Sequence, residues 1–182
     1  YVAHLDVKPG SAPVCQQPFP LSAYDQLRLE YHEDLQVHEG KAFWLPPNVT
    51  SSWASPSFVV DQLGKGLLGR PVRYYRLVNV ATFDHAWPSP NAEEILRRAQ
   101  NGSLHSKTDC VWGFTQLGIH NSTQELLTLV CTHGLLRPKV LYFGAKQGPA
   151  IFHSLVDNTS GDLKGDLIEP FHACFIDDVL MS

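Results

Sequence analysis

The sequence predicts a mixed α+β fold: a single domain with a mainly antiparallel sheet and two or three helices. Three observations carry that prediction. Period-two alternation runs through residues 26–38, with Leu27, Leu29, Tyr31, Leu35 and Val37 on one parity and Arg28, Glu30, His32, Asp34, Gln36 and His38 on the other. Residues 72–83 are dense in β-branched and aromatic side chains. Between such runs lie two segments with helix-capping chemistry, the pattern of helices set among strands. The 182 residues fit one domain, 1–182, and 43% hydrophobic with 18% charged residues supplies a core and excludes a disordered chain.

Taken in order, residues 1–22 form a proline-rich arm, because Pro9, Pro13, Pro18 and Pro20 lack amide donors and fix φ. Residues 26–38 then read as a half-buried strand. Ala42, Phe43, Trp44 and Leu45 form a short buried strand closed by Pro46 and Pro47, and 48–57 is a Ser/Pro-rich loop. Residues 72–83 are the central strand. Ser89 suits an N-cap for a helix over 89–101, with Pro90 in the first turn, Glu93 and Glu94 at the positive dipole end, and Asn101-Gly102 as the stop. Ser122 and Glu125 have capping-box spacing for a helix over 122–133. Leu126, Leu129 and Val130 form its apolar stripe, and Gly134 lies just past its end. A strand over 139–144, a short helix over 149–156 and a last strand over 171–180 complete the chain. The expected core is Trp44, Tyr75, Leu77, Val111, Leu126, Leu129, Tyr142 and Phe175.

No apolar run reaches the ~18 residues of a membrane span. The net charge of −4 and scattered Lys and Arg, apart from Arg70, Arg73 and Arg76, argue against general nucleic-acid binding. The first residue, Tyr1, marks a fragment or a processed product. Four N-x-Ser/Thr sequons, at Asn48, Asn101, Asn121 and Asn158, favour a secreted or surface-exposed protein. In that setting at least two of Cys15, Cys110, Cys131 and Cys174 are expected to pair.

Several motifs dissolve on inspection. Gly64, Gly66 and Gly69 spell a dinucleotide fingerprint, but Pro71 and a strand follow where a helix is required. His4, Asp6, Lys8 and Pro9 match part of a kinase catalytic loop with none of its surroundings. His32 and His38 share a strand face that the alternation assigns to solvent. Cys131-x-His133 and His172-x-Cys174 offer zinc-type ligands at a spacing tighter than the usual ~2–4 residues.

The segment 118–145 is richest in chemistry. It reads Gly-Ile-His120-Asn-Ser-Thr, then the capped helix, then Gly134-Leu-Leu, then Leu141-Tyr142-Phe143-Gly144-Ala145. This resembles the ADP-ribosyltransferase family of the poly-ADP-ribose polymerase and diphtheria-toxin type. The resemblance implies that His120 and Tyr142 bind the cofactor NAD, at its nicotinamide ribose and ring. It also implies that Glu169 is the catalytic carboxylate stabilising an oxocarbenium-like cation. On that basis the chain is an ADP-ribosyltransferase-like domain, active or inactive, with a nucleotide or protein partner. The alternative is a non-enzymatic interaction domain, such as a viral or secreted glycoprotein module.

Overall fold

The computed structural model describes residues 1–62, 66–85, 87, 91–100, 106–161, 172–175 and 178–181. In chain order the elements are β1 (Val2–Ala3), α1 (Ala23–His38), β2 (Ala42–Trp44), β3 (Ser57–Val60), β4 (Arg70–Arg73), α2 (Arg76–Ala81), α3 (Ala92–Ala99), β5 (Ser106–Asp109), β6 (Gly118–Ile119), α4 (Asn121–Leu126), β7 (Leu129–Cys131), β8 (Gly134–Pro138), α5 (Gly148–Gly161), β9 (His172–Phe175) and β10 (Asp178–Met181). A 3-10 turn covers Gly113–Gln116. The mixed α+β class holds, and among the described residues every strand ladder is antiparallel except that of β1 with β6.

The chain resolves into two compact units. The larger holds Val2–Phe83 and Phe114–Lys146. Its main sheet has the order β2-β8-β7, and β3 pairs separately with β4. The helix α1 packs on β2 and β3. Tyr75, Val78, Leu126, Leu127, Leu129, Leu136 and Leu141 form the core. The proline-rich arm is irregular but tied down, through β1 on β6 and bridges from Val7 to Thr82 and Cys15 to Ala54. The smaller unit holds Tyr1, Asp84–Gly113 and Gln147–Ser182. Its sheet is β5-β10-β9, with α5 against β9 and Ile95, Ile151 and Phe152 buried.

Five elements differ from expectation. Residues 26–38 lie in the helix α1. Leu27, Tyr31 and Leu35 are spaced by four, a step that satisfies a helix face and, being even, also mimics strand alternation. Ser22 settles the contest by accepting the Asp25 amide as N-cap. The buried face is Arg28, Leu29 and Glu33, while Leu27, Tyr31 and Leu35 are exposed. Residues 72–83 divide between β4 and α2. They break at Tyr75, whose buried hydroxyl donates to the Leu127 carbonyl at 3.0 Å.

The helix expected over 122–133 stops at Leu126. His120, not Ser122, is its cap, and Leu129–Cys131 is β7, joined to β8 by the tight turn Thr132-His133. With Gly134–Pro138 taken as strand, 139–144 is irregular, apart from the bridge from Val140 to Gly118. Residues 171–180 hold two antiparallel strands rather than one, with Phe175 opposite Asp178.

Other expectations hold. β2 lies where the short strand was placed, α5 extends the 149–156 helix, and α3 falls within 89–101 with Asn91 as its cap. Ser89, Pro90 and Asn101-Gly102 lie outside the described residues. Of the expected core, Tyr75, Leu126, Leu129 and Tyr142 are buried and Trp44 is half-buried. Leu77 and Val111 are exposed at 40% and 67%. The Phe175 side chain is outside the described set. Cys15 and Cys131 carry free thiols. Among the described residues no helix is long and apolar enough to cross a membrane.

Candidate carboxylate centre and cationic cavity

In the smaller unit the register of β5 and β10 sets Asp109 directly opposite Asp178. Directly opposed positions of an antiparallel ladder share one face, with Cα atoms ~4.5–5.5 Å apart. Two carboxylate positions are therefore held together by backbone hydrogen bonding alone. Asp177 precedes Asp178 in sequence, between β9 and β10, and lies outside the described residues. Shortly after Asp109, Trp112 adopts left-handed backbone with φ 55°, a conformation that a bulky residue keeps only under constraint.

Hard carboxylate oxygens are the donors preferred by Mg²⁺ and Mn²⁺, and Mg²⁺ is commonly held by one or two carboxylates with water and substrate phosphates. Two opposed aspartate positions, with Asp177 next to one of them in sequence, supply donors of that type. Among the described residues no group of three or more His, Cys, Asp or Glu could hold a metal.

The larger unit contains a cavity of about 450 Å³ lined by Asp61, Arg70, Arg73, Phe143 and Gly144, among others. Its size falls in the ~300–1,000 Å³ range of ligand sites. The Arg70 guanidinium lies over the Phe143 ring, 4.5 Å from its centroid, and Phe143 meets Phe114 edge-to-face at 4.6 Å. Asp61, in the same lining, is bonded to Arg28 at 2.6 Å. Gly144 is required here. Its φ is 106°, and a Cβ would lie 2.8 Å from the Arg73 carbonyl oxygen. The result is an apolar wall carrying a cation, suited to an anion attached to a flat or apolar group.

Behind the cavity wall lies a buried charge cluster. Glu33, 1% exposed, accepts from the Cys131 thiol at 3.1 Å and faces Arg73 Nη1 at 3.8 Å. Burial raises the Glu33 carboxyl above its ordinary range, opposed by the Cys131 hydrogen bond and the Arg73 charge. Burial, with Glu33 beside it, also pushes the Cys131 thiol up.

The residues singled out from the resemblance have other surroundings. Tyr142 is buried, with Arg73 over its ring at 5.2 Å, and burial pushes its phenol up to about 12. His120 is exposed and caps α4. Glu169 lies outside the described residues. Asp109, Asp177 and Asp178 went unnoticed in the sequence. The available signal was an Asp-Asp pair between two short β runs at hairpin spacing, which was hidden by reading 171–180 as one strand.

The class of protein that this chain resembles is the viral enzymatic polyprotein. It is 31% identical over 133 residues to the enzymatic polyprotein of Figwort mosaic virus (strain DxS), covering 72% of this chain and 19% of that protein. To the enzymatic polyprotein of Cauliflower mosaic virus (strain D/H) it is 29% identical over 129 residues, covering 70% and 18%. A crystal structure of prototype foamy virus protease-reverse transcriptase superposes with a TM-score of 0.80 at 18% identity, over 97% of this chain and 22% of that one. The fold is thus that of part of the foamy virus protein. The chain spans about a fifth of the length of the curated relatives it matches. No protein-family model matches it.

These similarities overturn the ADP-ribosyltransferase resemblance. That resemblance needed a helix over 122–133 and a strand over 139–144, and neither forms. The NAD site at His120 and Tyr142, the catalytic assignment of Glu169 and the transferase reading had no other basis. The glycoprotein-module alternative finds no support in the same matches.

Proposed function

We propose that this chain carries the catalytic carboxylates of a template-directed nucleotidyl transferase of the reverse transcriptase type. The observation that carries the reading is the opposition of Asp109 and Asp178 on neighbouring strands, with Asp177 adjoining. The similarity to viral enzymatic polyproteins and the fold held in common with a protease-reverse transcriptase support it.

Proteases and polymerases both use paired aspartates, but differently. A proteolytic dyad shares one proton between two carboxylates without a metal. A phosphoryl-transfer centre gathers carboxylates to hold divalent ions. A third aspartate, next to Asp178 in sequence, favours the second, whose substrate is anionic.

In this reading Asp109, Asp177 and Asp178 hold Mg²⁺ or Mn²⁺. When bound, the ion neutralises charge on the transferred phosphoryl group and acidifies the attacking hydroxyl. The chain's own residues supply position. Strands β5 and β10 fix the spacing of the carboxylates. Within the larger unit, taken by itself, Arg70 over the Phe143 ring offers a cation on an apolar wall.

Extension of a DNA primer on an RNA template, assayed with Mg²⁺ on the chain and its Asp178→Asn variant, tests the reading. Calorimetric titration with Mn²⁺ runs in parallel. Extension and Mn²⁺ binding that both disappear in the variant are expected. Mn²⁺ binding unaltered by Asp178→Asn, or peptide cleavage without metal that the variant abolishes, contradicts it.

A further inference from the structure

The outer face of α1 plays no part in the nucleotidyl-transfer reading. Tyr24, Leu27, Tyr31 and Leu35 are all exposed there, Leu27 at 67%. Steps of three, four and four residues put them on one side of the helix, in a stripe about three turns long. The stripe is turned away from the buried side that holds Arg28, Leu29 and Glu33. The connection between β3 and β4 widens the patch. The Tyr24 hydroxyl donates to the Leu67 carbonyl at 3.2 Å, and Arg28 Nε donates to the Leu68 carbonyl at 3.2 Å. His32 Nε2 lies 3.1 Å from the same Leu68 oxygen. These contacts hold Leu67 and Leu68 beside the helix, both exposed, Leu67 at 83%. Single exposed apolar residues are ordinary, but a contiguous apolar surface marks an interaction site.

Charge selects what covers it. Tyr24, Arg28 and His32 define the edge of the stripe that meets Leu67 and Leu68. Glu30 and Asp34 define the other edge, next to Leu27 and Tyr31 on the helix surface. Asp34 is exposed and pairs with no cation among the described residues. Glu30 accepts from Gln26 and Thr132 and lies 3.4 Å from His133 Nδ1. The one cation on the far edge, Arg28, is matched by Asp25 at 3.0 Å and Asp61 at 2.6 Å. An apolar strip with one acidic edge remains. That edge repels nucleic-acid phosphates and anionic lipid. A second copy is also disfavoured. Antiparallel α1 helices would bring the Glu30 and Asp34 edges of both copies together. Parallel ones would press those carboxylates against Leu67 and Leu68, where no cation is offered.

We propose that the outer face of α1 docks an amphipathic helix of a partner protein, one with an apolar stripe and Lys or Arg along a single edge. Apolar anchors at helical spacing settle on Leu27, Tyr31 and Leu35, with Leu67 and Leu68 as the side wall. The basic edge lies along Glu30 and Asp34 and fixes the direction of the partner helix.

The test uses two synthetic helical peptides with the same Leu positions, i, i+4, i+7 and i+11, and either Lys or Glu along the edges. Each is titrated into the ¹⁵N-labelled chain. The Lys peptide shifts the amide signals of 24–35 and 67–68 with one midpoint, below about 1 mM. The Glu peptide binds at least about ten-fold more weakly. Leu27→Ser, at an exposed position, weakens the Lys peptide at least about ten-fold. Glu30→Lys with Asp34→Lys reverses the preference between the peptides. The chain alone sediments as a monomer, and phosphatidylcholine vesicles do not retain it. Equal midpoints for the two peptides, no shift in 24–35, or a Leu27→Ser midpoint equal to wild type overturns the proposal. So does a dimer that Leu27→Ser dissociates, which assigns the face to a second copy, or vesicle binding that Leu27→Ser abolishes, which assigns it to a membrane.

Discussion

Glu33 and Arg73 are the residues whose surroundings matter most to the larger unit, and no pattern in the sequence marks them. They are far apart in the chain, and each reads as an ordinary surface charge until α1 and β4 come together. Both are buried, 3.8 Å apart. A carboxyl whose folded pKa is raised above its unfolded value, near 4.5 for Glu33, contributes stability present in full below that value. The contribution is lost as pH rises through the folded pKa. Arg73→Met removes a charge that holds the folded value down, so the loss deepens. The variant should match wild type near about pH 4 and fall behind by ~3–5 kcal/mol near about pH 8 in denaturant titrations. A penalty that does not change with pH contradicts the pairing. The thiols give a second prediction at this scale. Cys15 is exposed, whereas Cys131 is buried and donates to Glu33. Alkylation of the native chain should label Cys15 promptly and Cys131 only on unfolding. Prompt native labelling of Cys131 contradicts its burial.

At the scale of elements, legibility tracks how far local chemistry decides the outcome. The short strand β2, bounded by Pro46 and Pro47, and the helices α3 and α5 were readable because caps and breakers act within a few residues. The helix α1 was misread because four-residue spacing fits both periods, and because its exposed face carries Leu27, Tyr31 and Leu35 while Arg28 and Glu33 turn inward. The segment after His120 was misread because its apolar residues serve a helix up to Leu126 and a strand from Leu129. Leu129 is fully buried in β7, opposite Leu136. Leu129→Ala should cost ~2–5 kcal/mol by denaturant unfolding, whichever element holds it. Ser22→Ala, which removes the α1 cap, should cost ~0.5–2 kcal/mol. A Ser22 variant as stable as wild type would mean that tertiary packing alone sets the start of that helix.

For the whole molecule, composition and pattern give the mixed α+β class, but the proposed centre of function lies in a long-range pairing. Asp109 and Asp178 are distant in sequence and meet only through the register of β5 and β10. A reading that follows the chain segment by segment finds instead the dense cluster at 118–145, whose side chains cap α4 and fill the larger unit's core. The central claim is that Asp109 and Asp178 act as one centre for a divalent ion. The most direct measurement is a double-variant cycle on Mg²⁺-dependent primer extension, with Asp109→Asn, Asp178→Asn and both together. Groups that act as one unit lose activity together, not in proportion. Each single variant should fall by at least on the order of a thousand-fold, and the double variant should fall little further. Single variants that keep extension within about ten-fold of wild type, or losses that multiply in the double variant, would contradict a shared centre.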